Sequence, residues 1–320
     1  VSASLSQLAK DAGTKGARVI VGISNQKLVI RFIDLPYMAK DELKSSIRFQ
    51  AQEFIPISVE DAILDYQVTK EYINKDGERM IEVLLVAAQK EMVEQSVQAV
   101  EKSGLRPIVI DVSSFALVRS LSIQKKMDPA EQDEETPGIQ ALVNIGSGVT
   151  DIAMAEHGMP RFVRVSSLAG NSFTKAISEI LALSWDEAEE LKVEVGLPNG
   201  QAEGETENDT TSDPQRAEIW GKAREVLETE GHKLAMEVRR SFDYYLSQSE
   251  EPRTIQKLVL SGGGARLRNL AEFLEKEFQT TVELNRPLEN LDVETDANGD
   301  VAEDELALAI PIGLALRGVS

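Results

Sequence analysis

Two glycine turns, far apart in the chain, constrain the fold more than any other feature. "LVNIGSGVTDI" (142–152) sets Gly-Ser-Gly between two runs of strand-forming residues. "KLVLSGGGARLRNL" (257–270) runs a strand into three glycines and then into an amphipathic segment. Strand ends that break on glycine, with helical patterns between them, point to an α/β architecture. In the first turn, Gly146 and Gly148 allow positive φ and a concavity of N–H groups that suits an anion. Thr150 and Asp151 could then orient phosphate oxygens or metal-bound water. An ordinary β-hairpin explains the same residues. In the second, Gly262, Gly263 and Gly264 precede a helix expected over 266–278, whose free N–H groups and dipole suit a nucleotide. Leu267 stands where the last glycine of a dinucleotide fingerprint would fall, and no Gly-Lys-Ser/Thr follows. A structural strand-to-helix turn is the competing reading.

The remaining pattern fills in around these turns. A short helix over 4–12 closes at Gly13 and Gly16. "ARVIVGIS" and "KLVIRFIDL" read as strands joined at Asn25-Gln26, with Pro36 as the stop. From Ala39, Leu43, Ile47, Ala51 and Phe54 recur at helical spacing. Two strands, 61–72 and 79–89, flank an "NKDG" turn. A helix over 90–103 ends at Gly104, a strand follows at 106–112, and a helix at 114–126. Strands recur at 140–145, 149–155 and 161–165. After Gly170 a helix carries Phe173, Ile177, Ile180 and Leu181, and Ser184 with Glu187 has capping-box spacing for the next one. A long helix spans about 215–248, then a strand at 281–285 and a last apolar helix near 306–316. The segments "MDPAEQDEETPG", "PNGQAEGETENDTTSDPQ" and 289–304 are acidic and read as loops.

Composition narrows the partners. With 34 Lys and Arg against 54 Asp and Glu, the net charge of −20 argues against nucleic acid and against an electrostatic grip on anionic lipid. There is no cysteine, so disulfides and thiolate metal sites are excluded. No apolar run reaches the roughly 20 residues a membrane helix needs, and a cytoplasmic location is expected. His157 falls in a turn and His232 on a helix without a second ligand, so no metal site is expected. No nucleophile–base arrangement is visible, and whether the chain is an enzyme stays open.

The order of a Gly hairpin, a capped "AEELK" helix and a strand–Gly-Gly-Gly turn is similar to that of the actin-like ATPases. Within them the chain resembles the type IV pilus assembly PilM family. The resemblance rests on "LVIRFIDLPYMAKDELKSSIRFQAQEFIPISVEDAILDYQV", with Pro36, Met38, Glu42, Leu43, Ile47, Arg48, Glu53, Ile55, Pro56, Asp65 and Tyr66 as landmarks. Ala51 and Gln52 replace an acidic residue there. "GSGVTDI", "SLAGNSFTKAI", "AEELK", "SGGGARLRNL" and "ALAIPIGLALRG" follow in order.

The resemblance implies an actin-like fold of two RNase H-like lobes. It divides the chain into 1–16 with 109–138 (first lobe), 17–108 (an inserted strand-helix-strand-strand module) and 139–320 (second lobe), with a helical subdomain about 197–252. It implies ATP or ADP, with or without Mg²⁺, at Asn144, Gly146, Ser147, Gly148, Val149, Thr150, Asp151, Gly170, Glu189, Lys192, Gly262, Gly263, Gly264 and Arg268. Glu189 and Lys192 match positions beside the base and ribose. It also implies an adaptor on the cytoplasmic face of the inner membrane. There it would hold the N-terminal cytoplasmic peptide of the membrane protein PilN beside the inserted module, with Arg48 and Glu53 as groove candidates, and would link the motor to the envelope complex. Membrane contact would run through that partner, alongside other pilus assembly proteins. The family's first phosphate hairpin has no counterpart here, and a longer natural protein with its N-terminal strands is expected. Asn144 replaces an Asp that would hold Mg²⁺ through water, so weak binding or slow hydrolysis is expected. The division protein FtsA, as a filament former or active ATPase, and the type II secretion protein GspL are the alternatives. "GLALRGVS" reads as a core helix rather than FtsA's membrane-targeting end.

Overall fold

The computed structural model describes residues 1–125, 138–198, 214–248, 253–288, 291 and 305–318, which leaves most of the three acidic segments outside it. The chain divides into two compact units, Val1–Ser113 and Ser114–Ser320.

The first unit holds two small sheets. β1 (Arg18–Ile23) pairs in parallel with β5 (Arg106–Val112). β2 (Val29–Pro36), β3 (Ala62–Ile73) and β4 (Arg79–Gln89) form an antiparallel sheet in the order β2-β4-β3. The turn expected at Asn25 is present, with Leu28 N–H donating to its carbonyl at 3.0 Å. It does not close a hairpin, however, because β1 and β2 go to different sheets. The local turn residues fix a change of direction, whereas β4's long apolar strand wins β2 as its partner. Helix α2 (Lys40–Ala51) lays Leu43, Ile47 and Ala51 on Ile33, Leu35, Ile81, Val83, Leu85 and Ala87. Phe54 does not continue that stripe: it lies past the helix end and is exposed. A bulge at Thr69 separates the pairs Val68–Val83 and Lys70–Glu82. The Thr69 hydroxyl donates a hydrogen bond to the Glu82 carboxylate at 2.5 Å. Helix α1 (Ser2–Asp11) ends before Gly13 and Gly16, both at positive φ. Helix α3 (Lys90–Lys102) buries Val93 against Ile23 and Ala88. The expected module boundaries, 17–108, take in β1, the three-stranded sheet and α3, and cut β5 after Ile108.

The second unit begins at the start of helix α4 (Ser113–Lys125). Its five-stranded sheet contains β6 (Ile139–Ile145), β7 (Thr150–Glu156), β8 (Met159–Ser166), β9 (Ile255–Ser261) and β10 (Thr281–Leu284). The order is β10-β9-β6-β7-β8, with the last three antiparallel and β6, β9 and β10 parallel. This is the sheet of one RNase H-like lobe. β6 is central, so all but one of its residues are buried, as its continuous apolar run requires. His157 and Gly158, both at positive φ, close the β7–β8 hairpin, and His157 is exposed.

Helices α5 (Gly170–Leu181), α6 (Trp185–Val195) and α7 (Pro214–Leu246) pack on one another, and α8 (Leu270–Phe278) joins them around the core. The core stripe of α7 (Ala223, Val226, Leu227, Leu234, Ala235, Val238, Phe242, Tyr245) has the helical period the sequence shows. In α9 (Ala309–Arg317), Pro311 stands in the first turn, where its missing N–H has no helical partner to lose. Only Ala309 and Gly313 of α9 are buried, so it is a half-buried helix and not the core helix expected. A Cβ on Gly313 would collide with the Ala116 carbonyl at 1.8 Å, so glycine permits the crossing of α9 over α4.

Candidate functional site

Register brings the first polar residues together. Across the sheet, Asn144 of β6 pairs with Ser261 of β9 on one side and with Asp151 of β7 on the other. All three are buried. The Ser261 hydroxyl donates to Asn144 Oδ1 at 3.2 Å, and the Ser114 hydroxyl donates to Asp151 Oδ1 at 3.0 Å. Thr150, fully buried, donates its hydroxyl to the Leu168 carbonyl at 2.7 Å. The sequence pairs Thr150 and Asp151 with a phosphate, but the structure commits both to interior bonds.

The hairpin turn itself is shaped differently from the sequence expectation. Neither Gly146 nor Gly148 lies in the left-handed region. Glycine at 146 serves close approach: its N–H donates to the Val149 carbonyl at 2.9 Å, and a Cβ would meet that same oxygen at 2.9 Å. The start of α5 takes up the turn's carbonyls, as Gly170 N–H donates to Gly146 O at 3.0 Å and Asn171 N–H to Ser147 O at 2.7 Å. Among the described residues nothing accepts a hydrogen bond from the N–H groups of Ser147, Gly148 and Val149. Such a run of spare donors attracts an anion.

The second glycine turn packs directly behind this one. Gly262, at φ +85°, would place a Cβ 2.3 Å from the Ile145 carbonyl oxygen. Its N–H donates to Leu306 O at 2.7 Å. A 3-10 turn over Gly263–Arg266 follows, then Asn269 at φ +64°, and α8 starts only at Leu270. The helix expected from 266 therefore begins later, and no α-helix N-terminus faces the glycines. At Gly262 and Gly264 the chain passes Ile145 so closely that neither position has room for a Cβ.

Helix α6 supplies the opposite wall. Its capping box is present: Glu187 Oε2 accepts from Ser184 N–H at 2.9 Å and Glu187 N–H donates to Ser184 Oγ at 3.4 Å. Lys192 Nζ lies 2.7 Å from both carboxylate oxygens of Glu189 and 3.0 Å from Thr174 Oγ1, and Thr174 also donates to Glu189. Burial alone would raise the Glu189 pKa, but the hydrogen bonds from Lys192 and Thr174 and the Lys192 charge outweigh it and hold the carboxyl below its ordinary value.

Between these walls is a pocket of about 340 Å³, lined by Gly170, Glu189, Lys192, Gly263, Gly264 and Arg266 together with apolar Ile145, Phe173, Val193, Leu267 and Leu270. Of the residues expected at a ligand, five line it. Gly146 and Ser147 adjoin it through Gly170, and Gly148 and Val149 complete that turn; Gly262 lies behind Gly263, against Ile145. Arg268 is elsewhere. Its guanidinium donates to Val195 O at 2.7 Å, and its carbonyl accepts from Leu197 N–H at 2.9 Å, so it ties the end of α6 to the glycine turn. Arg266 is the arginine that lines the pocket, and sequence reasoning missed it together with Thr174. The 3-10 turn reverses which arginine faces inward, and nothing in "GGGARLRNL" signals that turn.

In the first unit, Arg48 donates to Val59 O at 3.3 Å and makes no ion pair with Glu53 among the described residues.

A family model for the type IV pilus assembly protein PilM matches residues 1–205. The chain belongs to this family. A model for the cell division protein FtsA matches residues 141–310. The solved structure titled "PilM-PilN type IV pilus biogenesis complex" is similar at TM-score 0.77 and 26% identity, over 100% of this chain and 84% of that chain. FtsA of Escherichia coli strain K12 is 29% identical over 236 residues, 70% of this chain and 54% of the relative. FtsA of Neisseria meningitidis serogroup B is 25% identical over 248 residues, 74% of this chain and 56% of the relative. The chain spans about half the length of these curated relatives. As a PilM-family protein it has the actin-like fold, of which the sheet β10-β9-β6-β7-β8 is one lobe's core.

Proposed function

We propose that this type IV pilus assembly protein is a nucleotide-binding adaptor. The observation that carries the reading is the pocket in which the Glu189–Lys192 pair and the Gly263-Gly264 turn meet beside the spare N–H groups of 147–149. Its volume suits a small ligand. The apolar lining of Phe173, Val193, Leu267 and Leu270 suits the face of a base, and the Glu189 carboxylate suits a sugar hydroxyl. Arg266 and the hairpin N–H groups suit phosphate. ATP and ADP combine these three parts.

The same geometry supports slow turnover. Asn144 carries no charge, and Asp151 is buried and bonded to Ser114, so neither presents a carboxylate toward the phosphates. Magnesium enters this reading only together with the phosphates. When bound, it would neutralise their charge; the chain's own residues bind and orient.

The partner reading rests on family membership and on the similar PilM–PilN structure. In it, the module of α2 and its three-stranded sheet binds the N-terminal peptide of a PilN-type membrane protein, with Arg48 and Glu53 at the groove. Attachment to the inner membrane's cytoplasmic face then comes through that partner. No described helix is long and apolar enough to cross a membrane.

Calorimetry with Mg-ATP and Mg-ADP tests the first half: saturable binding without steady phosphate release is expected, and absence of binding overturns it. A pull-down with N-terminal peptides of inner-membrane pilus proteins tests the second. Capture that weakens in Arg48→Ala is expected, and failure of every peptide to bind overturns it.

A further inference from the structure

Thr174 is fully buried on α5, one turn beyond Gly170. Its single hydroxyl proton has two acceptors in reach, the Glu189 carboxylate and the Gly170 carbonyl at 3.3 Å. The ionised carboxylate is the stronger acceptor. The oxygen also accepts from Lys192 at 3.0 Å. The ammonium of Lys192 has three protons and finds three acceptors: both oxygens of Glu189 and the oxygen of Thr174. Lys192 is therefore spent within the triad, and its side chain is only 12% exposed against 44% for Glu189. What the triad presents to the pocket is the carboxylate. A carboxylate has about four acceptor sites. Lys192 and Thr174 occupy three of them, which leaves one for a ligand.

We infer that Thr174 is a positioning residue: it fixes the Glu189 carboxylate so that its remaining acceptor site meets a hydroxyl of the ligand, without itself touching that ligand. The inference rests on the pocket being a nucleotide site, where the hydroxyl belongs to the sugar. Without the Thr174 proton, the Glu189 side chain regains rotamers that must be frozen again on binding. That costs about fivefold in affinity.

The test compares wild type with Thr174→Val, which keeps the shape and loses the hydroxyl, and with Thr174→Ser, which keeps the hydroxyl. Calorimetry gives Kd for ATP, 2′-deoxy-ATP and 3′-deoxy-ATP, and carbon-13 NMR follows titration of the Glu189 carboxyl. Wild type is expected to prefer ATP over at least one deoxy analogue. Thr174→Val should weaken ATP about fivefold, leave that analogue unchanged and move the Glu189 titration to higher pH, with Thr174→Ser restoring both. Equal weakening of all three nucleotides with an unmoved titration would reduce Thr174 to packing and overturn the inference. So would a wild type that binds both deoxy analogues as tightly as ATP. If wild type binds no nucleotide, the nucleotide reading falls, and an unmoved Glu189 titration would separately overturn the Thr174–Glu189 coupling.

Discussion

Gly264 lies against Ile145 so closely that a Cβ on the glycine would stand 2.4 Å from the isoleucine Cγ2. Ile145 is also the last residue before the Gly146 turn. The two glycine turns are thus two sides of one packed joint.

That joint sets a gradient among the glycines. Gly264→Ala overpacks Ile145 and should cost about 1–3 kcal/mol. Gly262→Ala adds a left-handed φ to a backbone collision and should cost more. A Cβ on Gly148 meets nothing within 4 Å, so Gly148→Ala should stay within about 0.5 kcal/mol. Urea unfolding followed by fluorescence measures this, because both tryptophans, Trp185 and Trp220, are in the second unit. A Gly148→Ala cost equal to that of Gly264→Ala would show the joint to be misplaced.

The two arginines should separate binding from stability. Arg266→Ala removes a residue that lines the pocket and should weaken ATP with the smaller effect on unfolding. Arg268→Ala removes the charge-assisted bond to Val195 O that anchors α6 and should cost about 1.5 kcal/mol or more. Paired calorimetry and urea titrations check both, and the opposite ranking would return the ligand to Arg268.

Alkaline pH should find a weak point at Tyr245. Burial, helped by the hydrogen bond to Glu156 at 2.7 Å and by its charge, pushes the phenol well above its ordinary value of 10.0. The unfolded chain releases that proton first, so the contribution is complete below pH 10 and falls as pH rises beyond it. Tyr245→Phe should lose about 1 kcal/mol at pH 7 and show a flatter decline above pH 10. Equal slopes in both proteins would sink the argument.

Asn144→Asp restores the carboxylate expected of the superfamily, but in a row that already holds Asp151. Like charges directly opposite on a sheet repel, so stability at pH 7 should drop by up to about 1 kcal/mol. The loss should shrink at acid pH, where one of the pair takes a proton. Urea midpoints from pH 4 to 8 would show it, and a midpoint difference independent of pH would refute it.

Much of this architecture was legible from one chain. The Ser184–Glu187 box, the long helix near 215–248, the NKDG turn and the strands at 61–72 and 79–89 are local patterns, and each formed where its residues indicated. β1 and β2 show the limit. Their turn is local and was read correctly, yet their partners are chosen by strands about fifty residues or more away.

The sequence by itself determined the α/β class, most element boundaries and the two glycine turns whose order resembles an actin-like protein. Only the tertiary structure decided what those turns face. Periodicity says which residues share a face of their own element; it does not say what packs there. So Thr150 and Asp151, suited by chemistry to a phosphate, were taken by Leu168 and Ser114. Arg268 went to α6 while Arg266 turned to the pocket, because the segment behind the glycines runs through a 3-10 turn before α8 begins. Thr174 acquired its role only when α5 and α6 met and gave its hydroxyl a carboxylate to hold.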